Sequence, residues 1–463
     1  MAPRIQPQPP DHIVKSLRRR PGTIVSAALC WLAACSPQAA QLPPPLAPSA
    51  TAPAAAATVA ATPTATRPAP AVTIISVRTQ TPQPTAVSDA LLGPLTYPAN
   101  INPLTGLLVS DPQVLLRKPL AIKISNFPRY VRPQAGLTAA DMVWEHYSEG
   151  GTTRYTAVYL GTAAERIGPV RSARLIDTTL VDMLNGALVA SGTSKGTMRR
   201  LAPKPWFPAV ITNLTGFECP PLCMESIDAN SVFTSTAALW QVLADKDLNA
   251  PAQVHGFAYQ QRIPSGGQPA LTVGVDFSGE ALTEWRYDAP RGNYKRWIDS
   301  SPTELAEHID AATNQQVTAD TVVVLFANHV VDFTVPEDYD ADGVHSTYAT
   351  EVQLWGAAPR PLLVFRDGQA FAGQWQRADT GALPALTDAG GAVLALRPGK
   401  IWIQVVGLES DRTATGGKWY VRHHSPKDRG ELGPSPTPSI TPEGFVASST
   451  PEPTVTATTT ATP

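Results

Sequence analysis

Three arginines, Arg154, Arg171 and Arg174, stand in two short blocks that also hold Gly150, Gly151 and Gly168. A guanidinium fork matches a phosphate or carboxylate through paired hydrogen bonds, and glycines let backbone approach such a group closely. Lys195, Arg199 and Arg200 follow the next predicted strand. These residues predict an anion pocket at the ends of sheet strands, with Arg154, Arg171 and Arg174 as its binding set. The same arginines would equally serve as structural ion-pair partners of Asp141, Glu145, Glu149 and Asp177. Arg171 and Arg174 lie three residues apart where a helix is expected to begin, which predicts one shared face and one cleft. Two cations there oppose the positive end of the helix dipole, so a carboxylate or a ligand anion is expected between them.

Gly192-Thr193-Ser194-Lys195-Gly196 has the Gly-x-Ser-x-Gly spacing and falls between a predicted strand and a helix. A tight turn there would expose the hydroxyl of Ser194 as a nucleophile. Asp228 or Asp310 with His255 or His329 would have to complete the set, and no pattern selects among them. A serine at such a point equally serves as a helix N-cap or phosphate ligand, so no catalytic set is assigned. Asp338, Asp340 and Asp342, followed by Gly343, reproduce the first half of a calcium loop. The twelfth position is Ala349 rather than Glu, so the loop reads either as a weak Ca2+ site or as an acidic hairpin turn. No other cofactor is indicated, and the eight histidines form no zinc motif.

The elements that must position these groups change character along the chain. Leu120–Ile124 and Tyr155–Tyr159 alternate as strands, Leu175–Leu184 recurs at helical spacing, and Ala187–Ser191 reads as a short buried strand. A helix through Met198 and Leu201 and another over Ser235–Ala244 follow. Interleaved strands and helices predict an α/β domain over residues 99–250. From there the signals are mostly β: a hairpin around Tyr287 and Tyr294, an apolar strand over Thr321–Phe326, a hairpin around Asp367-Gly368, and a strand from Ile401. The expected fold class is α+β, an α/β domain followed by a smaller mostly-β domain over residues 251–410.

The ends of the chain predict an address. Arg18, Arg19 and Arg20 precede a short apolar run and Leu32-Ala33-Ala34-Cys35. This order resembles a lipoprotein signal over residues 1–34, with Cys35 as the lipid-attachment residue and the membrane reached through palmitate-type chains. Residues 35–98, rich in Ala, Pro and Thr, predict a disordered stalk, and residues 411–463 a flexible Pro/Thr-rich tail. The exported compartment suits a disulfide between Cys219 and Cys223. A net charge of −2 argues against nucleic acid as a partner.

Several blocks resemble those of the YerB-like lipoproteins, also known as domain of unknown function 3048. They are Asn102-Pro-Leu-Thr-Gly106, Arg132-Pro-Gln-Ala-Gly136, Glu149-Gly-Gly-Thr-Thr-Arg154 and Gly168-Pro-Val-Arg-Ser-Ala-Arg174, then Phe365-Arg-Asp-Gly368 and Pro398-Gly-Lys-Ile-Trp402. The match spans about residues 101–407 and departs near Asp228–Ser235 and near His329–Glu351, a longer and more acidic stretch. The resemblance implies a two-domain, surface-anchored lipoprotein and supplies no activity. The expectation is therefore an extracytoplasmic envelope protein that binds an anionic ligand or a partner protein. The competing expectation is an envelope hydrolase or transferase acting on a phosphorylated or acyl substrate.

Overall fold

A computed structural model describes residues 89–216, 219–339, 345–424 and 426. Cys35, Asp340, Asp342 and nearly all of the expected stalk lie outside them. The described residues belong to one compact unit. Its first half holds β1 (Leu120–Ser125), β2 (Met142–Ser148), β3 (Thr152–Tyr159), α1 (Asp177–Leu184), β4 (Ala187–Val189), α2 (Lys195–Leu201), β5 (Cys223–Met224), β6 (Val232–Phe233) and α3 (Thr236–Asp245). The second half begins with β7 (Gln268–Pro269), β8 (Thr272–Ser278), β9 (Ala281–Asp288), β10 (Asn293–Ser301) and β11 (Glu304–Glu307). Three short strands follow, β12 (Ile309–Asp310), β13 (Gln315–Gln316) and β14 (Thr318–Ala319). The chain ends with β15 (Thr321–Tyr339), β16 (His345–Gln353), β17 (Gly356–Arg366), β18 (Gln369–Arg377), β19 (Ala385–Asp388), β20 (Ile401–Gly407), β21 (Asp411–Thr415) and β22 (Lys418–Arg422).

The described chain is mostly β with few helices, and its larger sheet runs through both halves. That sheet has eleven strands, with the path β19-β18-β17-β15-β20-β2-β3-β1-β4. β20 is the junction: it runs parallel to β15 on one side and parallel to β2 on the other. Every residue of β20 is buried, as expected for a strand covered on both faces. The sequence boundary near residue 250 therefore falls within one continuous hydrogen-bonded sheet. β1, β2 and β3 pair antiparallel, and β4 joins β1 in parallel.

Two apolar layers cover this sheet. On one face Val322, Val324, Phe365 and Trp402 pack with Val273, Val275, Trp285 and Val421 of a seven-stranded sheet ordered β11-β10-β9-β8-β22-β21, and α3 contributes Leu239, Trp240 and Leu243 to the same cluster. On the other face Leu180, Val181, Met183 and Leu184 of α1 pack with Leu188, Ile403 and Val405. Asn185, in the left-handed region at φ 44°, ends α1.

Three expectations need correction. Residues 411–424 are not a tail: β21 and β22 complete the seven-stranded sheet, with Val421 and His423 buried. The stalk does not reach residue 98, because the Leu92 N–H donates to the Tyr259 carbonyl at 2.9 Å. The first helix begins at Asp177 rather than Leu175, so Arg171 and Arg174 precede it. Cys219 and Cys223 form a disulfide. Among the described residues no helix is long and apolar enough to cross a membrane.

Candidate anion-binding site

Arg154 stands on β3 opposite Ser125, at the end of the β1–β3 pairing. Arg171 and Arg174 come from the segment between β3 and α1, which docks on the sheet through the Arg171 N–H and the Lys123 carbonyl at 3.0 Å. Gly168 makes that docking feasible. Its φ is 150°, and a Cβ there would lie 2.8 Å from both the Phe233 ring and the Val232 carbonyl. The remaining group arrives from the far half of the sequence. β15 runs beyond its pairing with β17 and β20, keeps β16 as its partner, and carries Glu337 to the start of α2. Gly196 permits the approach, because a Cβ on it would meet Val335 at 2.7 Å.

The charges then sort themselves. Arg174 Nε donates to Glu149 Oε2 at 2.6 Å, and its Nη1 lies 3.3 Å from Glu337 Oε2. Glu337 Oε1 also accepts from Ser194 at 3.0 Å and Thr197 at 2.7 Å, while Glu149 Oε1 accepts from the Thr350 N–H at 3.1 Å. Burial opposes the Arg174 charge, yet Glu149 and Glu337 outweigh it and raise its pKa. Burial likewise opposes ionisation of Glu149, but Arg174 and Arg154 hold its carboxyl below the usual range. Glu337 is pushed the other way, by burial and by the neighbouring Glu149 charge.

Arg154 and Arg171 are left over. Arg154 Nη1 donates to the Ser172 carbonyl at 2.7 Å, and neither guanidinium forms an ion pair with a described carboxylate. Burial and the Arg174 charge push Arg154 well below its ordinary pKa, and burial and Arg174 also lower Arg171, with Asp228 and Tyr130 as its electrostatic relief. Since a guanidinium keeps its proton in any case, these directions measure how unfavourable the positive charge is there. Both side chains are partly exposed. A bidentate anion at this point would supply the missing charge.

Other expected partners have different work. Glu145 pairs with Arg296, and Asp177 pairs with Lys123 at 3.0 Å. Asp141 accepts from the Leu160 and Gly161 N–H groups. Arg200 pairs with Asp332, and Lys195 and Arg199 are exposed. Ser194 is the N-cap of α2, accepting from the Thr197 N–H at 3.0 Å, and its hydroxyl donates to Glu337. None of Asp228, His255, Asp310 or His329 is among its partners; His255 meets Asp379, and Asp310 accepts from Gly136 and Thr138. The backbone of Asp338 pairs with Thr347 across the β15–β16 hairpin. Among the described residues no cluster of three His, Cys, Asp or Glu could hold a metal ion.

Sequence reasoning missed Glu337, Thr197 and Lys123. Glu337 lies in the stretch already distinguished by its length and acidity. Lys123 sits in an alternating strand at a position that reads as outward-facing, yet it is fully buried, donating to His146 at 2.7 Å and Thr156 at 2.8 Å. Burial lowers its pKa to about 8 against the pull of Asp177.

Residues 104–249 match the N-terminal domain, and residues 273–403 the C-terminal domain, of a family described as protein of unknown function (DUF3048). The Bacillus subtilis protein named "Putative lipoprotein YerB" is 26% identical over 314 residues, covering 66% of this chain and 85% of that protein. The crystal structure of YerB protein from Bacillus subtilis aligns with a TM-score of 0.53 at 25% identity, covering 66% of this chain and 96% of that one. With both matched domains in order along one continuous sheet, the chain belongs to the DUF3048 family.

Proposed function

We propose that this protein is a lipid-anchored, extracytoplasmic envelope protein that binds a phosphate- or carboxylate-bearing ligand or partner at Arg154 and Arg171. The anchor rests on the Leu-Ala-Ala-Cys35 signal and on the lipoprotein name of the Bacillus subtilis relative. The binding role rests on one observation: Arg174 makes the ion pairs to Glu149 and Glu337, and among the described residues the Arg154 guanidinium is given one hydrogen-bond acceptor, the Ser172 carbonyl. The enzyme alternative draws no support from Ser194, whose hydroxyl caps α2 and donates to Glu337.

Calorimetric titration of the protein with inorganic phosphate at low ionic strength tests the reading. The wild type binds with measurable heat; Arg154→Gln and Arg171→Gln lose that heat, and Arg166→Gln, whose exposed side chain pairs with Glu225, keeps it. Equal heats in all four proteins would overturn the site. The absence of heat in the wild type would do the same.

A further inference from the structure

Three pieces of chain converge beside Arg171. Between β5 and β6 the chain turns through Asp228 and Asn230, and this loop docks on the arginine-bearing segment, where the Val170 N–H donates to the Val232 carbonyl at 2.6 Å. The third piece comes from the end of β1. There the Ser125 hydroxyl reaches the Phe127 carbonyl at 2.9 Å and Asn230 Oδ1 at 3.2 Å, and Ser125 is the residue opposite Arg154 in the β1–β3 pairing. Asn230 also donates from Nδ2 to the Tyr130 hydroxyl at 3.0 Å and from its backbone N–H to Asp228 Oδ1 at 2.8 Å.

Tyr130 lies in a short turn over Arg129–Val131 and is 66% exposed. Its hydroxyl is already committed, accepting from Asn230 and hydrogen-bonded to Asp228. What the side chain still offers is the flat face of its ring, which gains from being covered. Asp228 stands between this ring and the surplus cations. The Asn230 N–H, the Tyr130 hydrogen bond and the Arg171 charge together hold its carboxyl below the usual range, so it is an ionised acceptor.

A ligand that fills this corner has three parts to supply. Its anion meets Arg154 and Arg171. A flat, weakly polar face covers the Tyr130 ring. Hydroxyl donors meet Asp228, whose charge repels a second anionic group at that end. We propose that the molecule bound by Arg154 and Arg171 is an anionic sugar, a pyranose bearing a phosphate or carboxylate, whose C–H face stacks on Tyr130 and whose hydroxyls donate to Asp228. This inference rests on the reading of Arg154 and Arg171 as an anion site and names the class of molecule that carries the anion.

Calorimetric titration of the full chain at low ionic strength with inorganic phosphate, glucose 6-phosphate, acetate, glucuronate and AMP tests it. The wild type should bind glucose 6-phosphate about tenfold more tightly than phosphate, or glucuronate about tenfold more tightly than acetate. Either gain supports the sugar, and the larger one identifies its anion. Tyr130→Ala, melting as the wild type does, should bring the ratio to within about twofold of unity, whereas Tyr130→Phe, which keeps the ring, and Arg166→Gln should preserve it. Should Tyr130→Ala fail to fold, Tyr130→Leu, which keeps apolar bulk without a flat face, should lose the same ratio. Both ratios near unity in the wild type, a ratio unchanged in Tyr130→Ala or Tyr130→Leu, or AMP bound more tightly than either sugar would overturn the sugar and leave the anion site standing. No heat from any of the five would overturn the anion site itself, and this inference with it.

Discussion

Arg296 and Arg154 are both strand arginines with a β2–β3 glutamate nearby, and they meet opposite fates. Arg296 and Glu145 are sealed in the core, at 0% and 1% side-chain exposure, with Nη2 and Oε2 2.8 Å apart. Arg296 also donates to Thr283 and Tyr155 and to His308 Nδ1, while Glu145 accepts from Thr153, Trp402 and Gln404. One cation meets one anion, and nearly every polar atom is used; Arg296 Nε is the exception. Around Arg154, three guanidinia share Glu149 and Glu337, because Lys123 and Asp177 already satisfy each other. A balanced, enclosed cluster locks strands together. The open cluster, with surplus charge of one sign, is the one on which the proposed anion site rests.

The largest effect should come from breaking the balanced cluster. Arg296→Gln leaves Glu145 buried without its counter-ion, and such a loss typically costs about 3–5 kcal/mol. Urea denaturation should show that drop in midpoint. A loss under about 1 kcal/mol would mean that the pair is not what ties β2 to β10.

Acid should act next, through histidines enclosed as neutral rings. Burial and Arg296 hold His308 well below its ordinary pKa, burial and Lys123 do so for His146, and burial and His329 for His423. Burial lowers His329 itself to about 4. The unfolded chain therefore binds protons that the native state refuses. Stability is complete above about pH 6.5 and falls as the pH drops towards 4. For His329 alone the loss at pH 5 is roughly 2 kcal/mol. Melting temperatures should hold from pH 7.5 to about 6.5 and fall steadily from there to pH 5. His329→Gln should flatten that fall, and an unchanged slope would remove His329 from the account.

A smaller loss tests how the open cluster is assembled. Gly196→Ala raises helix propensity but drives a methyl group into Val335, so overpacking should prevail by about 1–3 kcal/mol. The substitution should also strengthen phosphate binding, because displacing the strand that delivers Glu337 leaves Arg174 less neutralised. A stabilised variant with unchanged binding would show that β15 and α2 are not in close contact.

How much of this was legible follows a physical line. The helix over Thr236–Asp245, the hairpin of β9 and β10 and the strand at Ile401 lay close to where periodicity and turn residues put them, because local pattern determines local structure. The arginines stood out through their glycine neighbours. What periodicity could not show was that β20 lies between β15 and β2, since parallel pairing of Ile401 with Thr321 and with Met142, far apart in sequence, leaves no local trace. For the same reason Glu337, which arrives on β15, was invisible as a partner of Arg174. The hairpin of β21 and β22 reads as tail because its polar, largely exposed β21 gives little apolar pattern, although Trp419 and Val421 alternate correctly.

The most direct measurement compares Arg154→Gln with Arg296→Gln by urea denaturation at low ionic strength without added phosphate. Removing a surplus cation relieves repulsion by Arg171 and Arg174, so Arg154→Gln should be as stable as the wild type or more stable by up to about 1 kcal/mol. Arg296→Gln should lose several times that amount. If Arg154→Gln instead loses about 3–5 kcal/mol, Arg154 is a balanced structural charge like Arg296, and the surplus on which the anion site depends does not exist.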